Sequence, residues 1–379
     1  VTIEVPRDAS TIQEAVNAAR DGDVVLVSPG VYRESVQIKT PNVVLRGKQR
    51  GGVVVDGEVR RANGIVVTAP GVAVENLTVR NHTLNGVLVT GLSDERGGLA
   101  RGSTGYHRLD PAEFPPLRGF RVSYVTASNN ALYGIYAFDA QEGVIENSYA
   151  SGSADSGFYV GQCKPCHIVV RDNVAERNAV GYEGTNASGD MVVLGNRFVG
   201  NRVGLTSNSD HQEAFVPQED AVIAGNLISA NAEPGSPAQA DGGFGIGIGI
   251  AGGTRNLVSR NRITGNPGIG LAIASSEDLA PLHNRFAENV ITGNGSDVVY
   301  AASSRAPGVE NCVDDRCYTG PGVALPRLPA PRGVPFTEVA APPAQPEMPN
   351  GYTGPAKPDP ATYPVPETDL LADRAAVRR

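Results

Sequence analysis

The stretch GNRFVGNRVG, residues 195–204, holds a strand-sized apolar pulse between two asparagines, Asn196 and Asn201, five positions apart. The same separation recurs at Asn76 and Asn81, Asn173 and Asn178, Asn226 and Asn231, Asn261 and Asn266, and Asn289 and Asn294. After most of the second asparagines a glycine opens an alternating run: NGVLV at 85–89, YGIYA at 133–137, SGFYV at 156–160, VGYEG at 180–184, VGLTS at 203–207 and IGLAI at 269–273. Each unit therefore contains several short period-two strands joined by turns. The step from Asn173 to Asn196 is 23 residues, and longer steps read as insertions. Strand-only repeats of this length predict an all-β solenoid whose coils stack as parallel strands. At each turn Asn is expected to take the left-handed conformation and to bond its counterpart one coil away.

Composition agrees with a narrow core. Among 379 residues there are 46 glycines, 6% aromatics, two methionines and no tryptophan, so Val, Ile, Leu and Ala must fill the interior. The formal net charge of -8 argues against a phosphate-backbone partner, since no basic stripe is present to displace counterions, and nucleic acid is excluded as an expected partner. No run of about 18 apolar residues occurs, so no transmembrane helix is expected. The sequence opens at Val1 without Met, which leads us to expect a removed leader and a secreted or cell-envelope protein, acting as a monomer. The four cysteines fall into two short pairs, Cys163 with Cys166 and Cys312 with Cys317, read as local disulfides of an exported chain.

With this repeat, the chain resembles the right-handed parallel β-helix superfamily that includes pectate lyases, pectin methylesterases and mannuronan C5-epimerases. The resemblance covers residues 1–305. Its N-terminal mark is DASTIQEAVNAARDGDVVLVSPGVYRESVQI, residues 8–38, where Ser10 with Gln13 reads as a capping box for a helix over 8–20. Ile12, Ala15, Val16 and Ala19 would plug the open end of the core. Residues 306–379 read instead as a Pro-rich strap or linker, because fourteen of the 28 prolines lie between Pro321 and Pro366.

If the residue after each repeat glycine points inward, the next stands outward. Leu88, Tyr136, Tyr159, Glu183, Thr206 and Ala272 then form one outward column, and Thr90, Phe138, Gly161, Thr185 and Asn208 a second. Aromatic faces beside a carboxylate suit a carbohydrate groove; the same residues could equally serve as the packing floor of an insertion. Residues 90–119, 161–166, 208–219 and 275–283 all leave the solenoid after the same strand and would wall this face. They carry or adjoin His107, His167, His211 and His283, with Asp139, Glu142, Asp210 and Glu213.

YGIYAFDAQE, residues 133–142, is similar to the mannuronan C5-epimerase signature, with Phe138, Asp139 and Glu142 matching and Gln141 at the catalytic histidine's position. Gln cannot abstract a proton, so Tyr159, His167 or His211 would have to supply the base. The expectation is polysaccharide lyase, C5-epimerase or glycoside hydrolase chemistry, with Asp139, Tyr159, Glu183 and His211 as acid and base groups and Tyr136, Phe138, His107 and Asp210 touching the glycan. The alternative is a carbohydrate-binding or cell-envelope scaffold, or a metal-handling protein resembling the periplasmic β-helix proteins of copper-enzyme maturation. Calcium or another divalent metal would then sit on His167 with Asp210 or His211. CKPCH, residues 163–167, also matches covalent haem attachment, but a disulfide is the expected reading.

Overall fold

In a computed structural model that describes residues 1–100, 109–240 and 242–367, the repeats coil into a parallel β-helix. Its described strands form a 21-stranded sheet and a ten-stranded sheet. One coil shows the plan. Strand Ser156–Cys163 lies in the ten-stranded sheet, Ile168–Arg171 and Val174–Ala175 follow in the large sheet, and Val180–Ala187 returns one rung along. Phe158, Tyr182, Leu205, Ile248 and Leu271 share one register and are fully or almost fully buried, so each coil adds one rung to a thin continuous core.

The N-terminal helix runs over Ile12–Ala18 and closes the core with Ile12, Ala15 and Val16. Its cap lies one residue later than the sequence reading places it. Thr11 accepts from the Glu14 amide at 3.1 Å, and Glu14 reaches back to the Ser10 amide at 3.1 Å. The cap is therefore Thr11, while the Glu14 carboxylate bonds the amide and hydroxyl of Ser10 just before it.

The asparagines stack as two amide ladders. Asn173, Asn196, Asn226, Asn261 and Asn289 bond in succession at 2.9–3.0 Å, and Asn178, Asn201, Asn231, Asn266 and Asn294 at 3.0–3.3 Å. Along the first ladder, however, the left-handed residue is the one before each asparagine: Asp172, Gly195, Gly225, Arg260 and Glu288, with φ between 52° and 65°. The preceding residue makes the bend, which leaves the asparagine amide free to point inward and saturate the turn carbonyls. Asn76 and Asn81 do adopt φ of 53° and 61°, and their amides bond Gly47, Glu347 and Asp56 instead.

Beyond strands Gly308–Val313 and Arg316–Gly320 the chain crosses the outer surface of the large sheet. Arg202 donates to Pro331, Asn129 to Phe336 and Val339, and Arg50 to Pro346 and Glu347. A turn at Pro349–Tyr352, with Gly351 at φ 70°, reverses the direction. On the way back Tyr352 bonds Glu146, Arg171 donates to Pro355 and Ala356, and Arg260 and Arg262 donate to Pro360, Tyr363 and Pro366. Proline offers no amide hydrogen, so the segment is held by its carbonyls rather than as an added strand. It lids an ionic column in which Glu146 and Arg171 are both buried and paired at 2.8 Å.

Candidate functional site: a tyrosine and carboxyl cleft

On the ten-stranded sheet Leu88, Tyr136, Tyr159, Glu183, Thr206 and Ala272 stand in register, with Gly249 between the last two. Thr90, Phe138, Gly161, Thr185 and Asn208 form the neighbouring column. Alternation sends both columns away from the core.

Three tyrosines and three carboxyl groups meet there. The Tyr133, Tyr136 and Tyr159 rings lie with centroids 4.5, 4.7 and 4.9 Å apart, and Phe138 sits 5.8 Å from Tyr136. The hydroxyl of Tyr159 donates to Glu213, which folds in from the 209–220 insertion. Ser156 donates to Glu183 at 2.7 Å and to Asp155 at 3.4 Å. Asp155 is also bonded by Gln239, from an insertion entering at the opposite edge, and by Tyr133. Tyr159 is buried, whereas Tyr133, Tyr136, Asp155, Glu183 and Glu213 keep partial exposure, so the group floors a cleft.

The electrostatics of this cleft are one-sided. Burial first, then Asp155, raises the Glu183 carboxyl to about 7, and burial lifts Glu213 to about 8 against the bond from Tyr159. Asp155 is raised by burial, and a hydrogen bond links it to Glu183. The three phenols are pushed up by burial and by these carboxylates. Among the described residues no lysine or arginine pairs with Asp155, Glu183 or Glu213. Carboxyl groups kept partly protonated near neutrality, beside flat aromatic surface, can donate and accept protons at a bound molecule.

The remaining sequence-derived residues are placed as follows. Asp139 is buried at the root of the 91–116 insertion, where its carbonyl accepts from Gly91 and Leu117 at 3.0 Å each. Its Oδ2 has no partner, and burial raises the carboxyl to about 7. It stands beside the cleft and outside the hydrogen-bonded group. Gln141 lies in strand Ala140–Glu146 of the large sheet, around the corner. His167 sits at a left-handed corner with φ 49° and turns to Asp190 at 2.8 Å. Asp210 bonds the Gln212 amide at 2.8 Å, while its backbone is held by Asn186. His211 meets Asp278 at 2.6 Å and, with Glu277, forms a three-residue group whose donor atoms lie within 4.8 Å of one another. His167, Asp210 and His211 are thus not brought to one point. His107 lies outside the described residues. Both cysteine pairs are disulfides, which removes CKPCH from haem chemistry.

The sequence reading missed Asp155, Tyr133 and Gln239 as members of this group and left Glu213 in a loop. YGIY did signal Tyr133. Nothing in the sequence shows that the 209–220 and 230–245 insertions fold back over the strands. Two cavities, of about 800 and 250 Å³, lie on the other side of the helix beside the C-terminal segment. They are flanked by Glu347 to Tyr352 and by Pro355 and Lys357.

Residues 118–310 match the model of a family described as periplasmic copper-binding protein (NosD). No curated protein matches the sequence. Among solved structures, the chain is similar to the A-module of mannuronan C-5 epimerase AlgE6 of Azotobacter vinelandii, at 18% identity and TM-score 0.58, over 81% of this chain and 77% of that one. The AlgE4 A-module of the same organism matches at 16% identity and TM-score 0.51, over 80% and 86%. Tailspike protein 2 of Escherichia coli O157:H7 bacteriophage CAB120 matches at 12% identity and TM-score 0.51, over 77% and 39%. At these identities the likeness shows the fold alone.

Proposed function

The chain belongs to the NosD family, described as periplasmic copper-binding proteins, and from that extracytoplasmic setting and its own residues we propose that it binds and hydrolyses a polysaccharide in the tyrosine and carboxyl cleft. One observation carries the reading. Asp155, Glu183 and Glu213 converge beside three tyrosine rings with no cation against them among the described residues, an arrangement that costs stability and repays it only in proton transfer or ligand binding. Glycosidic cleavage needs one carboxyl that arrives protonated and one that arrives ionised. Glu213, held at about 8, fills the first role, and the hydrogen-bonded pair Asp155 and Glu183 the second. Elimination or epimerisation of a uronate would instead call for a base and a cation at the sugar carboxylate, and Gln141 faces away.

The test is a panel of polysaccharides assayed for reducing ends and for absorbance near 230 nm. Reducing ends lost in Glu183→Gln and in Glu213→Gln support hydrolysis here. Unsaturated products, or activity unchanged in both variants, would remove these residues from the reaction.

A second reading follows from the family description, which implies copper. All four cysteines are in disulfides, and Met191, one of the two methionines, is buried in the core, so no thiolate pair or methionine cluster is available for copper(I). His211, Glu277 and Asp278 fit a divalent cation that takes nitrogen and oxygen donors. Titrating the metal-free protein with copper(II), zinc and calcium, each in the wild type and in His211→Ala, checks this. One-to-one binding lost in the variant supports the site, and binding unchanged in it places the metal elsewhere.

A further inference from the structure

The cleft is unlike a site for an acidic polymer. Glu183 and Asp155 press on one another across Ser156, and Glu213 lies against Tyr159, one rung from Glu183 in the same column. The charges that act on Glu183 and Glu213 are those of neighbouring carboxylates, Asp210 included. The outward positions facing them are Leu88, Thr90, Phe138, Gly161, Thr185 and Thr206, all uncharged. From the packed insertions come Gln239, which is neutral, and Glu213 and Asp210, which are acidic. His211, the nearest basic group in that insertion's sequence, is directed to Asp278. A polyuronate would bring further negative charge into this field without a counter-ion.

Carboxylates and phenol rings together are instead what an ammonium group meets well. The carboxylates pair with it directly, and aromatic faces attract it through their quadrupoles. Glu213 Oε1 is buried with no hydrogen-bond partner, next to Gly161, where a Cβ would come within 2.6 Å of it. The missing side chain at Gly161 leaves the room that the Tyr159 ring and this unsatisfied oxygen occupy.

We propose that the glycan taken by this cleft bears free amino groups, as in a polymer of glucosamine units, and that Asp155, Glu183 and Glu213 select it by charge. The inference rests on the reading of the cleft as a glycan site. Burial that keeps these carboxyls partly protonated supports it, because an arriving ammonium would favour the ionised form and expel a proton on binding.

The experiment is calorimetric titration of the full chain at pH 6 with four tetrasaccharides: β-linked glucosamine, its N-acetylated counterpart, a neutral glucan and a uronate. Two buffers of different ionisation enthalpy read out proton release. The glucosamine tetramer is expected to bind at least tenfold more tightly than the other three, with release of protons. That preference should fall to less than threefold in Glu183→Gln and Glu213→Gln, each checked for unchanged circular dichroism. Equal or tighter binding of the N-acetylated or neutral tetramer overturns the charge selection and leaves the glycan reading standing. Tightest binding of the uronate overturns it as well. Binding of none of the four sinks both.

Discussion

Replacing Glu213 by Gln tests whether the cleft is strained by its own charge. The carboxyl is raised from an ordinary 4.5 to about 8, with burial as the main cause. Because the folded state holds this proton more tightly than the unfolded chain does, stability is greatest below pH 4.5 and is lost as pH rises towards 8. A rise of that size, fully expressed, corresponds to about 5 kcal/mol. Residual solvent in the cleft reduces this, and about 2 to 3 kcal/mol is the working figure. Gln keeps an oxygen to accept from Tyr159 and has no charge to bury. E213Q should therefore match the wild type at pH 4 and melt a few degrees higher at pH 8. The assay is thermal unfolding by circular dichroism at half-unit steps from pH 4 to 9. A wild-type profile that runs parallel to that of E213Q across the range would refute the reasoning. Glu183, raised to about 7, leaves a smaller fall between pH 4.5 and 7 in both proteins.

Two further outcomes follow from the scaffold. Asn226→Ala removes an amide that accepts from Asn196 and donates to Val193 and Asn261, all within the ladder, and should cost about 2 to 4 kcal/mol in urea unfolding. Arg171→Ala leaves Glu146 buried without its cation and should cost about 3 to 5 kcal/mol, with faster proteolysis near Pro355; in the Arg171→Ala, Glu146→Gln double variant most of the stability should return.

The repeat made the solenoid legible because its signal is periodic: the glycine, the alternating apolar run and the asparagine pair each recur at a fixed offset. That periodicity also fixed the outward columns, since a strand admits only two faces. Tyr136, Tyr159 and Glu183 are thus aligned by the sequence alone. Asp155 and Tyr133 lie just before their strands, where the turn and not the alternation sets direction, so column counting passes them by. Glu213 and Gln239 reach the cleft from opposite edges through insertions that have no period. Asp139 illustrates the converse. The family-like FDAQE run marked it, yet it follows the strand's last residue, and its left-handed φ of 54° places it at the root of the 91–116 insertion. The cap at Thr11 was displaced from Ser10 for a local reason: the Gln13 side chain is taken up by Asn17 and Gln37, and Glu14 bonds Ser10.

In a stack of coils each rung senses only its two neighbours, and such a rod tends to fray from its ends one repeat at a time. The C-terminal segment changes that arithmetic. It travels from the Arg202 rung towards the N-terminal end at Arg50, reverses at Gly351 and returns to Arg262, so that one peptide is fastened to rungs far apart along the axis. Loosening any intermediate rung must also strain this splint. A quasi-one-dimensional array is thereby given long-range cooperativity, and the rod should yield as one body under load.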